Sequence, residues 1–109
     1  MNWNLKYLPE ALDDIESLDR SVRPQVFKGI NKVRKNPLPK SKGGYGEPLG
    51  NKGGNNLTGL YKIKFRGIGI RVVYALEEAD SVMTVVVASL RSDNEVYDTA
   101  EHRRKKHGL

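Results

Sequence analysis

The fold is decided by residues 57–90, which read LTGLYKIKFRGIGIRVVYALEEADSVMTVVVASL. Large apolar residues stand at every second position over Tyr61–Phe65 and over Ile70–Leu76, which predicts two half-buried strands, Leu57–Phe65 and Ile70–Leu76. The sequence RGIG at 66–69 predicts the turn between them. After a second turn at 77–80, Val82–Leu90 is apolar almost throughout and rich in β-branched residues, as in a central strand covered on both faces. The segment therefore predicts a three-stranded meander.

The residues before the meander predict a short strand and two helices. Residues 2–8 alternate between apolar and polar side chains, as strands do. The segment 9–19 starts with proline and repeats apolar residues at helical spacing among acids, which predicts an amphipathic helix. A second helix is predicted over 21–35, because the sequence NPLP at 36–39 cannot continue it.

The predicted fold class is α+β. We expect a small antiparallel-rich sheet, made of the N-terminal strand plus the three-stranded C-terminal meander, with the two-helix hairpin packed on one face. The other face would be free to bind a ligand. Residues 40–59 contain seven glycines and are predicted to be a loop, either a mobile loop beside a groove or a tolerated insertion. One domain is expected to span residues 1–109.

Composition excludes several kinds of chemistry. The chain has no cysteine, so disulfides, thiolate catalysis and cysteine zinc sites are absent. It also lacks a phosphate-binding loop motif, a nucleophile-elbow motif and histidines or carboxylates at metal-binding spacing, so we expect no cofactor and no metal. We find no signal peptide and no membrane-spanning segment, which favours a cytoplasmic protein without a membrane partner.

Charge is distributed unevenly along the chain. The net charge is +6, but the first 19 residues hold five acids and one base, so the other 90 residues carry +10. A basic body of this kind suggests a surface that faces phosphate groups, although many basic proteins bind no nucleic acid.

The predicted strands place cations on one side of the sheet. A period of two puts Lys62 and Lys64 on one face of their strand, and Arg71 on the same face of the next. Such a cluster fits a bound anion, because like charges repel unless an anion lies among them. The pattern fits an ordinary solvent-exposed face equally well.

Two segments resemble the RelE toxins of type II toxin–antitoxin systems. The hairpin Tyr61–Tyr74 (YKIKFRGIGIRVVY) is similar to the central hairpin of that family, and Leu90–Tyr97 (LRSDNEVY) is similar to its closing motif. The order of strand, acidic helix, second helix and Asn-Pro break also agrees, so the likeness extends over nearly the whole chain. The resemblance implies an mRNA interferase, that is, a ribosome-dependent endoribonuclease that cuts messenger RNA in the A site and inhibits translation.

The resemblance also implies the site residues. The positions that the family uses for catalysis hold Lys62, Lys64, Arg71, Arg91 and Tyr97. We expect the lysines and Arg71 to stabilise the charge of the transition state, and Arg91 to stabilise the leaving oxygen. Tyr97 is the candidate base, but a phenol is a weak base near neutral pH and would need nearby cations. We expect slow cleavage of free RNA, with the ribosome supplying position.

Further basic residues are candidates for RNA or ribosome binding, namely Lys52, Arg66, Arg103, Arg104, Lys105 and Lys106. The last four belong to a basic tail at about 102–109, which is compatible with extra ribosomal RNA contacts or with a disordered end.

The implied partners are a cognate antitoxin protein and the ribosome with its messenger and ribosomal RNA. Operator DNA would be bound only through the antitoxin. Two alternatives remain open at this stage. One is a non-enzymatic inhibitor of DNA gyrase like the ParE branch, which shares the fold but generally lacks the five residues. The other is an inactive relative that binds RNA or the ribosome.

Overall fold

The computed structural model describes residues 3–52, 54–90 and 92–109. In chain order its elements are β1 (Asn4–Tyr7), α1 (Pro9–Glu16), α2 (Arg23–Val33), a 3₁₀ turn (Lys40–Lys42), β2 (Glu47–Lys52), β3 (Asn55–Phe65), β4 (Ile70–Glu77), β5 (Val82–Ser89) and α3 (Asp93–His107). The predicted α+β class is confirmed, as are β1, both early helices and the meander, with ends shifted by a few residues.

The strands form one mixed sheet in the order β1-β5-β4-β3-β2. β1 runs parallel to β5, and the other pairs are antiparallel. Within the β3–β4 pair, Phe65 lies opposite Ile70 and Lys64 lies opposite Arg71. Because side chains alternate along a strand, this register separates an apolar face from a face that carries the cations.

The helical face of the sheet is the one that bears Tyr61, Ile63 and Phe65. α2 packs there so closely that a Cβ on Gly29 would lie 2.4 Å from the ring of Phe65. On the same face the hydroxyl of Tyr74 donates a hydrogen bond of 2.8 Å to the carbonyl of Pro37, just after the second helix. Burial raises the pKa of this tyrosine well above its ordinary value. The two helices add apolar side chains to this core, namely Ala11, Ile15, Val26, Ile30 and Val33.

The prediction of a loop over residues 40–59 is wrong. Residues 47–52 form the edge strand β2, and β3 begins at Asn55 rather than Leu57. An edge strand of this kind needs few apolar residues: β2 buries Leu49, and its Gly50 takes a positive φ of 64° at a bulge in the pairing with β3. The pairing with β3 therefore holds a segment whose own sequence lacks a strand pattern.

We expected the second face of the sheet to be free, and this prediction is wrong, because α3 covers much of that face. We call it the α3 face; it bears Lys62, Lys64 and Arg71. α3 buries Val96, Tyr97 and Ala100 there. The alternative of a disordered end is also wrong for residues 102–107, which belong to this helix. Within the described ranges, no helix is both long enough and apolar enough to cross a membrane.

Candidate active site

The hairpin of β3 and β4 brings the predicted cations together. Lys62 lies opposite Val73, and Lys64 lies opposite Arg71, so all three cations project from the α3 face. The turn that aligns the strands uses Gly69 at a φ of 67°, which favours glycine. The clustering that the sequence predicted for Lys62, Lys64 and Arg71 is thus present.

Tyr97 reaches this cluster from α3. Its side chain is only 5% exposed, and its hydroxyl accepts a hydrogen bond of 3.0 Å from Nζ of Lys62. The ends of the helix are determined by its own sequence, since the Ser92 side chain caps its first turn and Gly108 ends it in the left-handed conformation. The structure therefore joins two residues that are 35 positions apart in the chain.

Two carboxylates face the cations. Glu47 on β2 lies opposite Lys62 in the sheet, with Oε1 4.0 Å from the lysine Nζ. Asp93, in the first turn of α3, forms an ion pair with the guanidinium of Arg71. Neither acid was predicted from the sequence to belong to the site. Glu47 lay in the presumed loop, although the pair Gly53-Gly54 in the sequence is a hairpin signal that points to a strand on each side.

These neighbours keep Lys62 charged. Burial alone would lower the pKa of its ammonium group. The hydrogen bond to Tyr97, together with the charges of Glu47 and Asp93, outweighs burial and raises that pKa above its ordinary value. Lys62 therefore presents a full positive charge to the tyrosine oxygen and to any anion that enters.

The other predicted site residues differ in their freedom. Lys64 and Arg66 are exposed, and neither forms an ion pair within the described part of the chain. Arg91 lies outside the described residues, as does the side chain of Lys52. The α3 face thus offers Lys64 at its rim as a cation without a protein counter-ion among those residues.

The basic residues of α3 are mostly engaged within the protein. Arg103 binds Asp14 of α1 and the carbonyl of Val86. Arg104 donates to the carbonyl of Thr58 at 2.6 Å. Lys105 and Lys106 form ion pairs with Glu101 and Glu10. A role in RNA binding, which stays a prediction for all four, would compete with these contacts.

The arrangement suits chemistry on an anionic substrate. Ammonium and guanidinium groups can bind a phosphate, and the phenol and the Glu47 carboxylate can exchange protons. Among residues 3–52, 54–90 and 92–109 there is no group of three or more histidines and carboxylates that could hold a metal ion.

Known toxin proteins are similar to this chain in sequence and in fold. No family model matches the chain. A RelE-like toxin protein of Escherichia coli is 28% identical in an alignment that covers 96% of this chain and all of that protein. A variant of the E. coli toxin RelE in the free state superposes with a TM-score of 0.74, 27% identity and coverage of 94% of this chain and 98% of that one. The toxin in the intact E. coli RelBE toxin–antitoxin complex superposes with a TM-score of 0.64 and 26% identity. The match covers 83% of this chain and 98% of that one. The predicted resemblance to RelE toxins is confirmed.

Proposed function

We propose that this chain, RelE-like in sequence and in fold, is the toxin of a type II toxin–antitoxin system and cleaves messenger RNA in the ribosomal A site. The observation that carries the proposal is the hydrogen bond between Lys62 and Tyr97 beside the cations Lys64 and Arg71. In this arrangement the cations would bind the phosphate, and the phenol beside them would take up the proton of the nucleophile. The RelE-like motifs supply the rest of the support.

The reaction uses the nucleophile that RNA itself carries. A base removes the proton of the 2′-OH, and the oxygen attacks the adjacent phosphorus. The bond from phosphorus to the 5′ oxygen then breaks, and that oxygen takes a proton. The products are a 2′,3′-cyclic phosphate and a 5′-OH end. DNA lacks the 2′-OH and is not cut.

Two groups compete for the role of base. Tyr97 accepts a hydrogen bond of 3.0 Å from Nζ of Lys62, which fixes its hydroxyl beside the cations. Glu47 is the more exposed of the two, and its Oε1 lies 4.0 Å from Nζ of the same lysine. A carboxylate at this position offers a second proton acceptor beside the phenol, so we expect each to contribute and neither to be fully replaced by the other.

The cations stabilise the charge that develops on phosphorus. Lys64 is exposed and can meet a phosphate oxygen without breaking an ion pair. Arg71 is bound to Asp93, so it must exchange a carboxylate for the phosphate when substrate enters. We expect Arg91 to stabilise the leaving oxygen, as the resemblance implies. No metal ion takes part in this scheme.

The proposed partners follow from the same likeness. An antitoxin protein encoded nearby would silence the toxin, and contact with operator DNA would pass through that antitoxin. The ribosome would position the messenger RNA, which is worth about 7–11 kcal/mol in favourable cases. All of these steps would take place in the cytoplasm.

Primer extension on messenger RNA from translating ribosomes tests the proposal. Wild-type protein should produce cuts within the A-site codon. Lys62→Ala and Tyr97→Phe should each slow cleavage by about 10²–10³-fold. Lys6→Ala, which removes an exposed lysine from β1 at the opposite edge of the sheet, should cut like the wild type.

The alternatives give other results. Toxicity that survives Lys62→Ala and is accompanied by a DNA-damage response would favour the ParE-like inhibitor. Ribosome binding without any cleavage product would favour an inactive relative. An undiminished A-site cut by the double variant Tyr97→Phe and Arg91→Ala would refute the proposed chemistry.

A further inference from the structure

One part of the chain is far more basic than the rest. Residues 20–46 contain eight lysines and arginines and no aspartate or glutamate. Their charge of +8 exceeds the net charge of +6 of the whole protein. This segment forms α2 and the turns that follow it, so it lies on the helical face and not in the candidate active site.

An open groove of about 800 Å³ runs along this segment. Its lining includes Lys28, Lys32 and Lys35 on one side, with Tyr45 and Phe65 as aromatic members. Lys28 and Lys32 are one helical turn apart on α2, and Lys35 follows the end of the helix. The groove thus combines a row of ammonium groups with aromatic rings.

The lysines of the groove have no carboxylate partner among the described residues. Within the part of the chain that the structure describes, Lys28, Lys32 and Lys35 form no ion pair. Nζ of Lys32 lies 5.6 Å from the ring centroid of Tyr45, which is 47% exposed. The ion pairs of the described residues lie elsewhere, on Lys62, on Arg71 and on the C-terminal half of α3, so this row of lysines is available for a polyanion.

The groove continues toward the active site. A smaller hollow of about 240 Å³ shares Lys32, Tyr45 and Phe65 with the groove, and its lining also includes Lys64 of the active-site cluster. The pairing of β3 with β2 ends at Lys62, so β2 does not cover the last residues of β3. A chain that lies across this uncovered edge can touch the cations of both faces.

We propose that the groove binds a single-stranded segment of the same RNA that is cut at the active site. Phosphates would lie along Lys28, Lys32 and Lys35, and a base would stack on Tyr45. This inference rests on the proposed function, because it assigns the flank of that substrate. An acidic peptide would satisfy the lysines as well, but a half-exposed tyrosine beside them favours a nucleic acid, since every base offers a face for stacking.

Binding can be measured without cleavage. The probe is a fluorescent 2′-O-methyl RNA of about 12 nucleotides, which cannot be cut because its 2′ oxygens are blocked. Anisotropy titrations over a range of salt give the affinity and its salt dependence. Lys28→Gln with Lys32→Gln should reduce the slope of log affinity against log salt by about 1.4, at about 0.7 for each phosphate contact. Tyr45→Ala should weaken binding about tenfold, and Tyr45→Phe should restore it.

The control is Lys6→Gln, which removes one charge at the far edge of the sheet and should leave affinity and slope unchanged. Lys62→Ala tests the active site separately. If wild-type protein binds the probe but no ribosomal cut is found, the proposed function fails, and the groove is left as an RNA-binding site that flanks no cleaved substrate. If the groove variants bind and cleave like the wild type, the groove proposal fails and the active site remains. Equal affinity for poly-glutamate at the same salt would also overturn it in favour of an acidic protein partner.

Discussion

Replacing Asp14 with alanine should weaken the packing of α3 against the rest of the protein. Oδ2 of Asp14 accepts hydrogen bonds from Nη1 of Arg103 at 2.6 Å and from the amide of Ala88 at 3.1 Å. Oδ1 accepts from Nη2 of Arg103 at 3.1 Å. The carboxylate therefore ties α1, α3 and β5 together, at the part of β5 that extends beyond its pairing with β1.

The magnitude follows from the burial of this pair. The side chains of Arg103 and Asp14 are 15% and 21% exposed. Removal of one partner from a fully buried pair costs about 3–5 kcal/mol, whereas a surface pair is worth at most about 1 kcal/mol. Since the variant also strips the Ala88 amide of its acceptor, we expect a loss of about 2–3 kcal/mol in the free energy of unfolding.

Urea denaturation followed by circular dichroism measures this loss. Asp13→Ala is the matched control, because it removes an exposed carboxylate one residue away on the same helix. Hydrogen exchange adds the location: amides of α3 should exchange faster in Asp14→Ala, while those of β3 and β4 change less. Equal destabilisation by the two variants, or unchanged protection of α3, would refute the reasoning.

Three further predictions concern Glu10, Gly46 and Lys64. The hydrogen bond from His107, with help from Lys106, holds the pKa of Glu10 at about 2 instead of 4.5, so Glu10→Gln should destabilise the protein at neutral pH. In urea titrations this difference should be lost as the pH falls from about 4.5 through about 2, because the carboxyl is then protonated in the folded protein too. Gly46→Ala should cost about 2 kcal/mol or more in thermal denaturation, since its Cβ would lie 2.4 Å from a buried tyrosine hydroxyl, whereas Gly67→Ala, in open space, should change little. Lys64→Ala should slow single-turnover cleavage on ribosomes while its unfolding free energy stays within about 0.5 kcal/mol of wild type.

The meander could be predicted from sequence because its signal is local and strong. β3, β4 and β5 begin and end within two residues of their predicted limits. Alternation in β3 also placed Lys62 and Lys64 on the correct face, since a period of two leaves no freedom once one face is apolar. The helices were predicted for the same reason, because their apolar residues repeat at helical spacing.

β2 and α3 could not be predicted with the same methods because their partners hold them in place. β2 is an edge strand that buries Leu49 and takes its order from β3. α3 is rich in charge and buries only a narrow stripe around Val96, Tyr97 and Ala100. Helices are stabilised in proteins mainly by packing, so a weakly amphipathic segment gives little signal before its docking surface is known.

The residues of the candidate site also differ in whether the sequence could predict them. The cations were visible because they interrupt an apolar pattern, but their counter-ions were not, because Glu47 and Asp93 sit on the two elements whose positions depend on tertiary contacts. The position of Tyr97 relative to Lys62 depends on the docking of α3 as well. The likeness of motifs indicated Tyr97, but its contact with Lys62 is seen only in the folded structure.

Glu47 and Asp93 also reduce the electrostatic repulsion within the cation cluster. Lys62, Lys64 and Arg71 share one sheet face, and their mutual repulsion would destabilise the folded protein if nothing offset it. Glu47 and Asp93 offset it in the free protein by lying beside Lys62 and Arg71. A phosphate that enters must take over at least the Arg71 contact, so part of its binding energy goes into breaking the pair with Asp93. Asp93→Asn should therefore tighten RNA binding at the active site while it lowers stability, because the same charge that supports the fold competes with the substrate.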